Sequence, residues 1–78
     1  MGDKVILSEL QQRIIFTVLC VDAFATRFHL TSVQSFHYLQ EYEGIQFLKE
    51  CYSAEHTLGL EDVVDDLVLV CRNHGGAY

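Results

Sequence analysis

The stretch 42-YEGIQFLKECYSAEHTLGLEDVVDDL-67 decides the fold. It reads as two amphipathic helices joined by a corner at His56, Thr57 and Leu58. The first helix is predicted over 44–55, opened by the turn Tyr42-Glu43-Gly44. Ile45, Leu48 and Tyr52 form its stripe, with Phe47 and Cys51 beside it. His56 falls at its carboxyl end, where the helix dipole favours an imidazolium. The second helix is predicted over 60–73. Leu60, Val63, Val64, Leu67, Val68 and Cys71 repeat at i, i+3, i+4, i+7, i+8 and i+11, the period of one buried helix face. Glu61 and Asp62 in its first turn and Arg72 in its last suit the macrodipole. Gly59 or Leu60 starts it, and Gly75 is a natural residue to end it.

Upstream, the same signals give two more helices. Ser8 with Gln11, and Thr31 with Gln34, have the spacing of capping boxes. They predict helices over 7–28 and 32–41, linked by His29 and Leu30. The first carries the stripe Leu7, Leu10, Ile14, Val18, Val21, Ala25 and Phe28. It also carries Ile15/Leu19 and Phe16/Cys20 as i,i+4 pairs on its other sides. A helix apolar almost all round is normally buried on all sides. A bundle this small covers about two, so part of helix 1 is expected to contact a second chain. The second helix shows Val33, Phe36, Tyr38, Leu39 and Tyr42 on its apolar arc.

The expected fold is therefore all-α, a compact bundle of four helices forming a single domain over 1–76. Residues 77–78 are expected to be a short flexible tail. The expected core is Ile14, Val18, Val21, Phe24, Phe28, Phe36, Leu39, Ile45, Leu48, Val64, Leu67 and Val68. The chain has 78 residues, no proline and a 50% hydrophobic content. That is too apolar for a disordered chain, and a domain this small buries only about 60–65% of its unfolded surface.

Five Lys+Arg against 11 Asp+Glu give a net charge of −6. The basic residues are scattered, so no stripe neutralises phosphates and no nucleic-acid partner is expected. Cys20, Cys51 and Cys71 are odd in number, widely spaced and set among apolar residues. They read as buried free thiols in a reducing compartment. The longest uncharged apolar run, 14–21, is far short of a membrane span, and the amino terminus lacks a signal-peptide pattern. A soluble cytoplasmic protein with no membrane partner is expected.

Three constellations bear on chemistry. Glu61, Asp62, Asp65 and Asp66 cluster after His56, and a small hydrolase or metal-binding enzyme at His56, Asp62 and Asp66 is one reading. No nucleophile, phosphate loop or metal motif accompanies them, and the spacing is not that of a calcium loop. A solvated helix face is therefore preferred. His37 and Glu41 stand i,i+4 but supply only two ligands, too few for a structural zinc. Thr57 and His56 either present a recognition corner or cap the helix end. Tyr38, Tyr42, Tyr52 and Tyr78 are of the type enriched at interfaces, and the first three are equally of the type that sits half-buried with its hydroxyl at the rim. Gly75-Gly76 reads as a helix stop. No catalytic residue, metal ligand or cofactor is assigned.

The motifs YLQEYEGIQFL and CYSAEHTLGLEDVVDDL, followed by a Cys and a Gly-Gly end, resemble a family of small bacterial domains. This is the domain-of-unknown-function family numbered three-seven-nine-one. The resemblance runs from about Ile14 to Gly76, and Gly59 stands where the family pattern has Ser. Glycine is an acceptable N-cap, so that departure costs little. The resemblance carries over no catalytic residues. It implies gene neighbourhoods that hold toxin-like enzymes, including ones of ADP-ribosyltransferase type, and hence an antitoxin-like or accessory role.

The expected function is a non-enzymatic protein-interaction module whose partner is neighbour-encoded or a second copy of the chain. Ile15, Leu19, His56, Thr57, Asp62, Asp65 and Asp66 are the candidate contacts. The alternative is a structural homo-oligomer, a dimer through helix 1.

Overall fold

The structure, a computed structural model, describes residues 8–78. The helix start placed at Leu7 lies outside those residues. The fold is all-α. Helix α1 spans Glu9–Phe28, α2 Ser32–Glu41, α3 Gly44–Glu50, α4 Tyr52–Glu55 and α5 Leu60–Asn73.

The local signals hold. The Ser8 hydroxyl accepts from the Gln11 N–H at 3.1 Å, and the Gln11 amide oxygen accepts from the Ser8 N–H at 2.8 Å. Thr31 and Gln34 repeat this at α2, at 3.1 and 2.9 Å. Each pair satisfies two of the free amide donors at a helix start. Helix α1 ends at His29 in the left-handed conformation, φ 56, with the Leu30 N–H donating to Ala25 O at 2.9 Å. Gly75, φ 98, and the Gly76 N–H on Cys71 O at 2.8 Å close α5 in the same manner. Gly59 caps the start of α5 with no side-chain hydrogen bond.

The core gathers one face from every long element. Cys20 and Phe24 come from α1, Leu39 from α2 and Leu48 from α3; α5 adds Val63, Val64, Leu67 and Cys71. Each is sealed from solvent, and burial of such a side chain stabilises by about 1.5–3 kcal/mol. Arg27 of α1 holds Glu61 at 2.5 Å and Asp65 at 2.6 Å, tying α1 to α5 at the surface. The buried Ser35 hydroxyl donates to Val21 O at 2.8 Å, joining α2 to α1.

Three expectations need correction. The helix expected over 44–55 breaks at Cys51, φ −108, into α3 and α4. After the break Tyr52 meets Phe16 of α1, while Glu55 is buried. One unbroken helix axis has been exchanged for both contacts. Second, Ile14, Val18 and Phe36 are exposed rather than in the core, at 53, 52 and 38%. The chain turns by 104° between α1 and α2, so the two helices do not lie side by side. Only the carboxyl half of α1, from Cys20 to Ala25, is buried. Third, the tail folds back. Tyr78 meets Tyr38 edge-on and Phe28 at a tilt, at centroid distances of 4.8 and 5.0 Å, and its N–H donates to the Tyr38 hydroxyl at 3.0 Å. Phe24 and Phe28 complete this aromatic cluster.

Among the described residues no single helix is long and apolar enough to cross a membrane.

Gly44 is a point of close packing between three helices. A Cβ built there would lie 2.8 Å from Leu39 Cδ2 and 3.3 Å from Cys71 Sγ. Gly44→Ala is therefore expected to lower the stability by about 1–3 kcal/mol through overpacking, despite the better helix propensity of alanine. At Gly59 nothing lies within 4 Å. Gly59→Ser is expected to gain a few tenths of a kcal/mol by supplying the missing cap. Urea midpoints of the two variants, read by circular dichroism, check the pair.

Candidate functional site

Three of the residues singled out from the sequence come together. Ile15, Leu19 and His56 line a shallow depression of about 270 Å³ with Gln12, Phe16 and Tyr52. Helix α1 supplies one wall and α4 with its corner the other. Tyr52 organises it. Its ring meets Phe16 edge-on at 5.4 Å, carries the Arg13 guanidinium at 4.5 Å and stacks on His56 at 4.5 Å, 8° from parallel. His56 Nδ1 is 2.7 Å from Tyr52 O. A carbonyl only accepts, so Nδ1 carries the proton in this contact. Ile15 and Leu19 are about half exposed.

Thr57 does a different job. Its hydroxyl donates to Ala54 O at 2.7 Å, closing the end of α4. This is the capping role, and it uses the hydroxyl's donor.

The acidic face of α5 divides into three. Asp65, with Glu61, is held by Arg27. Asp62 is exposed. Asp66 is half-buried, with its carboxyl beside that of Glu55. Among the described residues no ion pair or hydrogen bond joins His56 to Asp62 or Asp66. No group of three or more His, Cys, Asp or Glu among them is placed to hold a metal ion. The thiols of Cys20 and Cys71 are pushed up to about 12 and about 11, mainly by burial, which keeps them protonated and unreactive.

Glu55 is the residue that sequence reading passed over. It is 6% exposed, and its Oε1 is buried with no hydrogen-bond partner. Burial first, and then the Asp66 carboxyl beside it, push its pKa up from the usual 4.5 to about 7. Two adjacent carboxyls in a dry site share a proton more readily than they both ionise. The signal was present: Glu55 lies seven residues after Leu48, on the same face of the expected helix.

A larger opening lies along α1, between it, α2 and α3. It is a groove of about 770 Å³. Leu10, Ile14 and Val18 line it from α1, and Val33 and Phe36 from α2. Val21, Ile45 and Leu48, all buried, form its floor. Arg13, Lys49, His37 and Asp22 stand around its edge. Ile14, Val18 and Phe36, expected in the core from their spacing, line this groove instead.

A family model described as "Protein of unknown function (DUF3791)" matches residues 15–74. The chain belongs to this family. The DUF3791 region takes in most of α1 and all of α2 to α5. It therefore includes the Tyr52–His56 corner, the Glu55–Asp66 pair and most of the groove lining. No curated protein and no solved structure matches the chain.

The Glu55 site sets a pH dependence. A carboxyl whose folded pKa is raised contributes stability fully present below pH 4.5 and lost as the pH rises through about 7. Glu55→Gln keeps the shape and removes the titration. Its melting temperature is expected to equal that of the wild type at pH 4 and to exceed it at pH 8 by several degrees, on the order of 2 kcal/mol. Thermal melts of both proteins across that range check the sign and the window.

Proposed function

We propose that this protein is a non-enzymatic protein-interaction module that binds through the amino-terminal half of α1. The observation that carries the reading is apolar surface left open on both sides of that helix. Ile14 and Val18 face the groove, and Ile15 and Leu19 face the Tyr52–His56 depression. All four are about half exposed. Contiguous apolar surface of this kind on a small domain marks an interaction site.

The partner class proposed is a protein encoded beside this one. The family resemblance supports an antitoxin-like or accessory role toward a toxin-like enzyme of ADP-ribosyltransferase type. The proposed compartment is the cytoplasm, which suits three free thiols. A homo-oligomer assembled through α1 is the second reading, favoured by the same open face.

The test is a tagged chain expressed in its native host, beside two double variants. Ile14→Asp with Val18→Asp is expected to lose its stoichiometric partner, and Ile15→Asp with Leu19→Asp to weaken capture roughly tenfold, a loss of about 1.4 kcal/mol. Circular dichroism checks that both variants fold. Capture unchanged in both variants sinks the reading. A monomeric mass by sedimentation at micromolar concentration sinks the homo-oligomer alone.

A further inference from the structure

The groove between α1, α2 and α3 has a shape and a charge pattern that specify what fills it. It is concave, with a buried apolar floor and exposed apolar walls. Along α1 its lining runs from Leu10 to Asp22, about 18 Å at the rise of a helix, or a little over three turns of an occupant lying alongside. Apolar grooves of this form take the stripe of an amphipathic helix, read at i, i+3, i+4 and i+7.

Its rim departs from the rest of the molecule. The chain carries a net charge of −6, yet among the described residues the groove edge holds Lys49 and Arg13 and a single carboxylate, Asp22. Asp22 Oδ1 already accepts from the Ser32 hydroxyl at 2.7 Å. Arg13 is engaged by Glu9. Lys49 is exposed and joins no ion pair among the described residues. Asp22 keeps its charge but stands nine residues along α1 from Arg13, about 13 Å at the rise of a helix; the Arg13 guanidinium instead reaches the Lys49 carbonyl. At that end of the groove the open charge is positive on an otherwise acidic protein, and it calls for carboxylates on the occupant there.

A second copy fits poorly. A two-fold pair sets each patch against itself. Concavity then meets concavity, and among the described residues the one groove carboxylate on offer is Asp22, toward the far end of α1 from Arg13.

We propose that this groove binds an amphipathic α-helix of a partner protein, about three turns long, with acidic residues along the flank that meets Lys49. The proposal rests on the interaction-module reading and names the form of its ligand.

Two fluorescein-labelled, hydrocarbon-stapled helical peptides test it. They share one leucine stripe; one is flanked by Glu and the other by Lys. Fluorescence anisotropy with the full chain is expected to show the Glu peptide bound about fivefold or more tightly than the Lys peptide at low salt. The preference should fade at high salt. Lys49→Glu should reverse it. Ile14→Asp with Val33→Asp, both at exposed positions, should abolish binding of the Glu peptide with an unchanged circular dichroism spectrum. Equal affinity for the two peptides, binding that survives Ile14→Asp with Val33→Asp, or no binding of either peptide each overturns the proposal. So does a dimer in sedimentation that this double variant dissociates, because a second copy then holds the groove. If the peptides fail while capture in the native host still depends on Ile14 and Val18, the helix occupant is wrong and the module reading stands. If the peptides fail and capture in the native host is unchanged in both double variants of α1, the module reading falls with it.

Discussion

The close approach at Gly44 is the contact on which the arrangement of α2, α3 and α5 depends. With no side chain there, the start of α3 sits against Leu39 of α2 and Cys71 of α5. Glu43 accommodates this by taking φ 70 just before it, an uncommon conformation for a residue other than glycine. Once α3 is seated, Leu48 enters the core, and Ile45 and Leu48 become the floor of the groove. The molecule's main recess thus follows from a packing choice made at one backbone position.

What the sequence made legible was what is encoded locally. The Ser8/Gln11 and Thr31/Gln34 boxes act across three residues, and the stops at His29 and Gly75 act across about five, so residue type and spacing suffice. The α5 stripe is also legible, because Val63, Val64, Leu67 and Cys71 repeat at the helical period and all four are buried. Ile15, Leu19 and His56 were grouped as contacts, and the fold brings them to one depression.

The rest depended on angles between elements. Ile14 and Val18 have the same spacing as Val21 and sit on the same stripe. Only the 104° turn into α2 decides that the first two lie open while the third is covered. The break at Cys51 obeys no local punctuation, since no glycine or proline marks it. It satisfies Tyr52 and Glu55 at once, two demands made by different neighbours. Spacing puts Glu55 on the face of Leu48, but only the packing of α4 in the fold shows that its carboxyl is buried there. Asp66, counted with the solvated face, is its partner because of that packing.

The division of α1 into a covered half and an open half also separates two kinds of selection. Cys20, Val21, Phe24 and Ala25 hold the fold together, so substitution there is paid for in folding. Leu10, Ile14, Ile15, Val18 and Leu19 protrude from the same helix and carry little of that burden. Their identities are free to drift with whatever they touch. Substitution on this surface therefore leaves the scaffold behind it fixed, so the proposed binding and the folding of the domain are set by different residues of one helix.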